Sequence, residues 1–257
     1  MTASEAGTKL TLLCEGRDVS GGDLEALYRY PEDLDRPWVR SNFISSLDGG
    51  ATVEGLSGGL AGPGDRSLFN VMRTLCDVVV VGAGTVKLER YGGAQLSASA
   101  RAARERRGQA ELPPVAVVTD TGRLDRDMKV FTHTEVRPLV LTSADAVPEA
   151  QKQLFGVAEV LGCSGADRSR VDTAVLLDRL GERGLLRVLT EGGPTLHASF
   201  IEAGLLDELC MTIAPVIVGG QARRISTGPG QVDTEMKRAH LLADESGYLY
   251  TRYVRAR

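Results

Sequence analysis

The 257-residue chain carries 30 Lys+Arg against 34 Asp+Glu, a formal charge of −4, with 42% hydrophobic and 25% charged residues. That balance is ordinary for a globular protein and excludes disorder and fibrous repeats; a mildly acidic chain also lacks the basic footprint of general nucleic-acid binding. The length suits one α/β domain with a core of its own, and the 30 glycines gather at the ends of apolar runs instead of following a G-X-Y period.

Cys14, Cys76, Cys163 and Cys210 are widely separated, with no C-x-x-C and no neighbouring His. They read as reduced, buried thiols, so neither a zinc site nor a disulfide framework is expected. Met1–Lys9 is polar and lacks the apolar stretch of a signal peptide. Apolar runs such as Val78–Val81 fall far short of the ~20 residues needed to span a bilayer. The expectation is a soluble, cytoplasmic protein with no membrane partner.

Residues 1–36 read as an N-terminal lead-in with one short helix around Gly22–Tyr30, and residues 37–257 as a single domain. Trp38–Leu47 is a strand candidate closed by the turn Asp48-Gly49-Gly50. A glycine-rich loop, Gly55–Gly64, leads into Asp65–Leu75, where Leu68, Phe69, Met72 and Leu75 make a helical apolar face. Asp77–Val81 is a β-branched run suited to a parallel sheet covered on both faces. It turns through Gly82-Ala83-Gly84-Thr85 into a short helix that ends near Tyr91-Gly92-Gly93. Ala98–Gln109, basic and alanine-rich, is expected to be an exposed connection. Val115–Thr119, Leu139–Thr142 and Val157–Leu161 are short strands, and Val171–Gly184 is an amphipathic helix stopped by Gly184. Leu185–Thr190 is the next strand; Glu191-Gly192-Gly193-Pro194 then opens a helix to Ala203. Glu208–Val218 and Tyr248–Val254 close the chain as strands that pair antiparallel at one edge of a mainly parallel sheet.

Two glycine turns, Val81–Thr85 and Thr190–Thr195, follow apolar strands and open helices. In open α/β sheets ligands bind beyond the carboxyl ends of strands, and amides at a helix N-terminus favour anions such as pyrophosphate. The turns fit a dinucleotide or phosphorylated ligand, and they also fit plain tight βα connections. Gly82-x-Gly84 lacks the third glycine of the Rossmann fingerprint, and neither G-K-[ST] nor G-x-S-x-G occurs. His133, His197 and His240 lie in no motif, which leaves a hydrolase without a base.

The ordered set Ser46–Gly49, Gly55–Gly58, Val81–Val86, Glu191–Leu196 and Ile213–Gly220 resembles the RibD C-terminal family, the reductase half of the bifunctional riboflavin-biosynthesis deaminase-reductase, over about Trp38–Val254. The deaminase half's H-x-E and P-C-x-x-C signature has no counterpart, so a stand-alone reductase is expected. The resemblance implies an α/β, dihydrofolate reductase-like fold: a mainly parallel sheet with helices on both faces and antiparallel edge strands. It implies NADPH as cofactor, touched by Gly82, Gly84, Thr85 and Glu89, with Gly192, Gly193, Pro194, Thr195 and Leu196 at its pyrophosphate. Ala51 and Gly59 would flank the nicotinamide, and Ser57 and Glu191 would hold substrate. The resemblance also implies a homodimer joined through the late strands. The 2′-phosphate is expected near Thr119–Arg123, with Thr119 and Arg123 favouring it and Asp120 opposing it.

The chain departs from the family pattern after Thr85. Leu96 stands where an arginine for substrate phosphate is expected, and Gly59 replaces a bulky residue. A planar pterin such as dihydrofolate thereby joins 5-amino-6-(5-phosphoribosylamino)uracil as a candidate substrate. Reducing a C=N bond needs a proton donor. Asp65 is the candidate acid, and it is equally placed to cap its helix, which would favour its ionised form. Glu191 fits as an acid paired to an amidine-like substrate edge, or as a strand-end residue bonded to backbone. An inactive dimeric nucleotide-binding module or sensor would keep the glycine turns and need no such acid.

Overall fold

The computed structural model describes Val19 and residues 21–256 of the chain; Cys14 lies outside them. From the N-terminal side, α1 (Gly21–Leu27) precedes β1 (Trp38–Ser45). A single 3₁₀ turn, Ser57–Gly59, then leads to α2 (Pro63–Leu75), β2 (Val78–Gly82), α3 (Ala83–Leu88), α4 (Ala98–Arg106) and β3 (Val115–Thr119). Next come α5 (Lys129–Thr132), β4 (Leu139–Thr142), α6 (Val147–Gln153), β5 (Glu159–Gly162), α7 (Thr173–Gly181) and β6 (Arg187–Thr190). The chain closes with α8 (Pro194–Glu202), β7 (Glu208–Ile213), β8 (Met236–Ala243) and β9 (Leu249–Arg255).

Among the described residues nine strands join one sheet in the order β5-β4-β3-β2-β6-β1-β7-β9-β8. β1 pairs parallel with both β6 and β7, β2 with both β3 and β6, and only the β7–β9–β8 edge is antiparallel. This is the mainly parallel sheet with antiparallel edge strands that the sequence leads one to expect. The pleat explains why β2 can be an unbroken valine run. Val79 and Val81 pack with Leu68 and Met72 of α2, while Val78 and Val80 pack on the other face with Leu176, Leu180 and Phe200. Tyr28 and Tyr30, just after α1, belong to the first of these cores, and the Tyr30 hydroxyl donates to the Val188 carbonyl at 3.2 Å. Cys76, Cys163 and Cys210 are buried free thiols. No helix among the described residues is long and apolar enough to cross a membrane.

Three expectations need correction. Ala98–Gln109 is not a simple exposed connection. Ser97 caps α4 by accepting from the Ala100 amide, and the buried Arg104 turns inward to donate to the carbonyls of Arg73, Thr74 and Cys76, satisfying the C-terminal end of α2. β7 ends at Ile213 rather than Val218, because Pro215 cannot donate to a ladder. β8 is a strand the sequence does not announce: its residues are largely exposed, so Met236–Ala243 carries no clean apolar alternation.

A charged cluster sits inside the sheet where β1, β7 and β9 meet. The wholly buried Glu208 accepts from Arg40 Nε at 2.6 Å and Arg252 Nε at 2.7 Å through the same oxygen, Oε1. Arg40 is itself fully buried, with its guanidinium carbon 3.9 Å from the centre of the Tyr30 ring. Burial alone would raise the Glu208 pKa, but the two guanidiniums overcome it and hold the carboxyl down at about 2. A carboxylate depressed in the folded state contributes stability that is fully present above its ordinary value and is lost as pH falls through about 2. Glu208→Gln should therefore cost about 3–5 kcal/mol of unfolding free energy, since it leaves a buried Arg40 uncompensated. Urea titrations at neutral pH measure that cost. The gap between wild type and variant should narrow as pH falls from the ordinary glutamate value toward about 2.

Candidate functional site

A cleft of about 1530 Å³ opens at the carboxyl ends of β1, β2, β3 and β6, where open α/β sheets bind ligands. Its floor is the paired glycine turns. The Gly82 amide donates to the Gly192 carbonyl at 2.9 Å, which draws the β2–α3 and β6–α8 connections together. Gly192 has φ +114°, accessible in practice only to glycine. A Cβ added to Gly193 would stand 3.1 Å from Thr85 Oγ1, so this backbone approaches its neighbour closely as well as facing the cleft. Pro194 then starts α8, whose first residues, Thr195 and Leu196, also line the cleft. Among the described residues these turns fit the pyrophosphate of a dinucleotide: glycine surfaces without Cβ atoms, and a helix start with no acidic residue in its first turn.

Of the residues singled out from the sequence, Ala51, Ser57, Asp65, Gly82, Gly84, Thr85, Glu89, Thr119, Glu191, Gly192, Gly193, Pro194, Thr195 and Leu196 line this one cleft. Gly59 does not: a Cβ there would meet Val53 Cβ at 3.0 Å, so the position faces Val53 and opens no room for a larger substrate. Arg123 likewise lies off the cleft wall. Ser57 and Glu89, read as separate substrate and cofactor contacts, meet each other. Glu89 Oε1 accepts from both the Ser57 amide and hydroxyl, each at 2.9 Å, and so ties the glycine-rich loop to the end of α3.

Glu191 is also engaged differently from expectation. Arg73 grips it with two parallel bonds of 2.7 Å, and the Tyr91 hydroxyl donates to Oε2 at 2.9 Å. The carboxylate is 2% exposed, so it holds Arg73 in place and presents no free edge for an amidine. The Arg73 guanidinium lies 4.1 Å above the Phe69 ring. Burial works against the charge on Arg73, but Glu191 outweighs burial and keeps its pKa raised. Arg73 and Tyr91 both line the cleft, and sequence reading missed both. The signal was spacing: Asp65, Phe69 and Arg73 recur every fourth residue along α2 and so share one stripe of the helix.

Asp65 sits on that stripe, three residues beyond the actual cap, Gly62, so the capping role is excluded. Burial pushes its pKa up, against the opposing hydrogen bond from Thr212 and the charge of Arg66. His197 is buried behind the site, with Nδ1 3.2 Å from the Ile225 carbonyl and its ring 4.5 Å from Phe43. Burial holds its pKa down at about 4, which makes it a neutral packing group.

The fold and cleft define an α/β protein with a glycine-lined ligand cleft at a crevice between parallel strands. Residues 37–250 match the RibD C-terminal domain family, and the chain belongs to that family. It is 33% identical over 225 residues to the 2,5-diamino-6-ribosylamino-4(3H)-pyrimidinone 5′-phosphate reductase of Methanothermobacter thermautotrophicus, covering 84% of this chain and 98% of that protein. Against the riboflavin biosynthesis protein RibD of Actinobacillus pleuropneumoniae it is 31% identical, spanning 79% of this chain and 52% of the relative. Among solved structures, a pyrimidine reductase-like protein from Corynebacterium diphtheriae superimposes with a TM-score of 0.77 at 26% identity, over 86% of this chain and 92% of that one.

Gly193→Val places a branched side chain against Thr85 and into the cradle. Titration with NADPH should show affinity weakened by about tenfold or more, equivalent to about 1.4 kcal/mol, with the fold intact by circular dichroism.

Proposed function

We propose that this chain is an NADPH-dependent reductase acting on a small pyrimidine-type ring system, in the same substrate class as the ribosylamino-pyrimidinone 5′-phosphate named for its archaeal relatives. One observation carries the reading: a glycine cradle suited to pyrophosphate and a partly buried acid, Asp65, whose pKa is raised, open into the same cleft. A binding module has no need of that acid.

The paired turns at Gly82–Thr85 and Gly192–Leu196 would hold the dinucleotide through backbone amides, with Ala51 beside its reactive end. When bound, the dihydronicotinamide supplies hydride. Asp65 keeps its proton to higher pH than an ordinary aspartate and can deliver it to a ring nitrogen. Arg73, with Nε and Nη2 occupied by Glu191, has Nη1 left to donate to a carbonyl or phosphate of the substrate. Glu89 and Ser57 fix the loop that covers this end of the cleft.

Dihydrofolate is the second reading, favoured by Leu96 standing where the family's phosphate-binding arginine is expected; the argument from space at Gly59 falls away. The same proposal makes the protein a cytoplasmic homodimer in which the β8–β9 edge, where Leu241 and Leu249 are exposed, faces a second copy.

Spectrophotometric NADPH oxidation with the pyrimidinone phosphate and, separately, with dihydrofolate tests the function; cofactor binding without turnover of either would leave only a binding module. Asp65→Asn should lower the hydride-transfer rate by roughly 10²–10⁴ while leaving NADPH affinity unchanged. Because Asp65 must be protonated to act, the wild-type rate should fall as pH rises through its raised pKa, and the Asn variant should lose that dependence. Wild-type turnover by the variant would assign the proton to solvent.

A further inference from the structure

Where β3 ends, the cleft is bordered by Val118, Thr119 and Asp120, and two cations from other elements line the same cleft: Lys129, which starts α5, and Arg170, from the loop between β5 and α7. That loop is built rather than slack. Ser164 Oγ accepts from the Ala144 amide at 2.8 Å and lies 2.7 Å from the Arg170 carbonyl, while Arg168 Nε meets Asp145 Oδ1 at 3.1 Å. The Asp172 amide returns to the Cys163 carbonyl at 2.7 Å and closes the loop at its base.

The acids that would oppose a phosphate here are turned onto the loop's own donors. Asp120 Oδ1 accepts from the Val171 amide at 2.7 Å, so the residue that seemed set to repel a phosphate instead anchors the neighbour of Arg170. Asp167 Oδ1 accepts from the Ser169 amide and hydroxyl, and Asp172 Oδ1 from the Ala174 amide. The Arg170 side chain makes no hydrogen bond among the described residues; its charge adds to the Ser169 hydrogen bonds in holding down the pKa of Asp167 on the same loop, its backbone is fixed on both sides, and it is exposed at the cleft. A preplaced guanidinium with its donors free suits a dianionic phosphate, which it can grip with two parallel hydrogen bonds.

We infer that Arg170, presented by the Asp120-anchored loop, recognises the 2′-phosphate of NADPH and sets the preference for NADPH over NADH. This rests on the reductase reading and replaces Arg123, which does not line the cleft, as the cation that reads the phosphate. Asp120 is then a positioning residue, and Thr119, also on the wall, is placed to add a hydroxyl donor.

Isothermal titration of the whole protein with NADPH, NADH, 2′,5′-ADP and 5′-AMP tests the assignment. Arg170→Ala, at an exposed side chain, should weaken NADPH and 2′,5′-ADP by about tenfold or more, the scale of one charge-assisted contact, and leave NADH and 5′-AMP unchanged. Arg170→Lys should restore part of the loss, and Arg123→Ala should bind like wild type. A preference for NADPH that survives Arg170→Ala, or a loss shared equally by NADPH and NADH, would overturn the assignment while leaving the reductase reading intact. Failure of the wild-type protein to bind either dinucleotide would overturn both.

Discussion

The site depends on one backbone hydrogen bond, from the Gly82 amide to the Gly192 carbonyl. It joins the ends of β2 and β6, adjacent strands that lie far apart in the chain, and its acceptor is Gly192 at φ +114°, a conformation that side chains rarely adopt. A side chain at Gly192 would strain that backbone, whereas a Cβ at Gly82 would meet the facing turn at an ordinary contact distance of 3.6 Å. The cradle is a property of the pair of turns. Neither glycine motif suffices alone, which is why each of them also fits an ordinary tight connection when read singly.

Around that floor, charge is distributed with some economy. The helix α2 contributes Asp65, Phe69 and Arg73 to one wall, and the last of these is neutralised by Glu191 at the start of the neighbouring turn. Binding a strand end to a helix through a two-bonded ion pair, with an aromatic face beneath the guanidinium, locks a long side chain that would otherwise sample many rotamers. Arg104, from α4, satisfies the carbonyls at the same C-terminal end of α2, so the end of the helix opposite the acid is held both by the ion pair and by a second guanidinium. Asp65, in the first turn, sits in a partly buried setting that favours its proton.

Much of this is legible in the sequence. The valine run at Val78–Val81 admits almost no other fate than a doubly covered strand, and the glycine turns announce where ligand-facing backbone lies. Patterning carried less where the surroundings decide. β8 is exposed along most of its length and pairs by backbone alone, so its side chains leave no periodic trace. Ala98–Gln109 reads as solvated because of its many arginines, while one of them, Arg104, is buried among carbonyls. Gly59 could be placed in a loop but not oriented, and its orientation toward Val53 reverses the inference drawn from its small size. Glu191 and Arg73 are separated by most of the domain, and only the sheet order brings them into contact.

The position of β1 has a consequence for how the chain is made. Among the described residues it is the first strand to be synthesised, yet it lies well inside the sheet, and both of its partners, Arg187–Thr190 and Glu208–Ile213, follow much later in the chain. Until they emerge, Trp38–Ser45 has two unpaired edges, and Arg40 has neither Glu208 nor a finished core to shelter it. Pairings so distant in sequence form slowly and leave strand edges open to other nascent chains. A guanidinium in the midst of that strand opposes such association while the edges are bare, much as inward-pointing charges protect exposed edges in finished proteins. The arginine that is buried in the completed sheet is thus a bare charge on the strand until β7 arrives with Glu208.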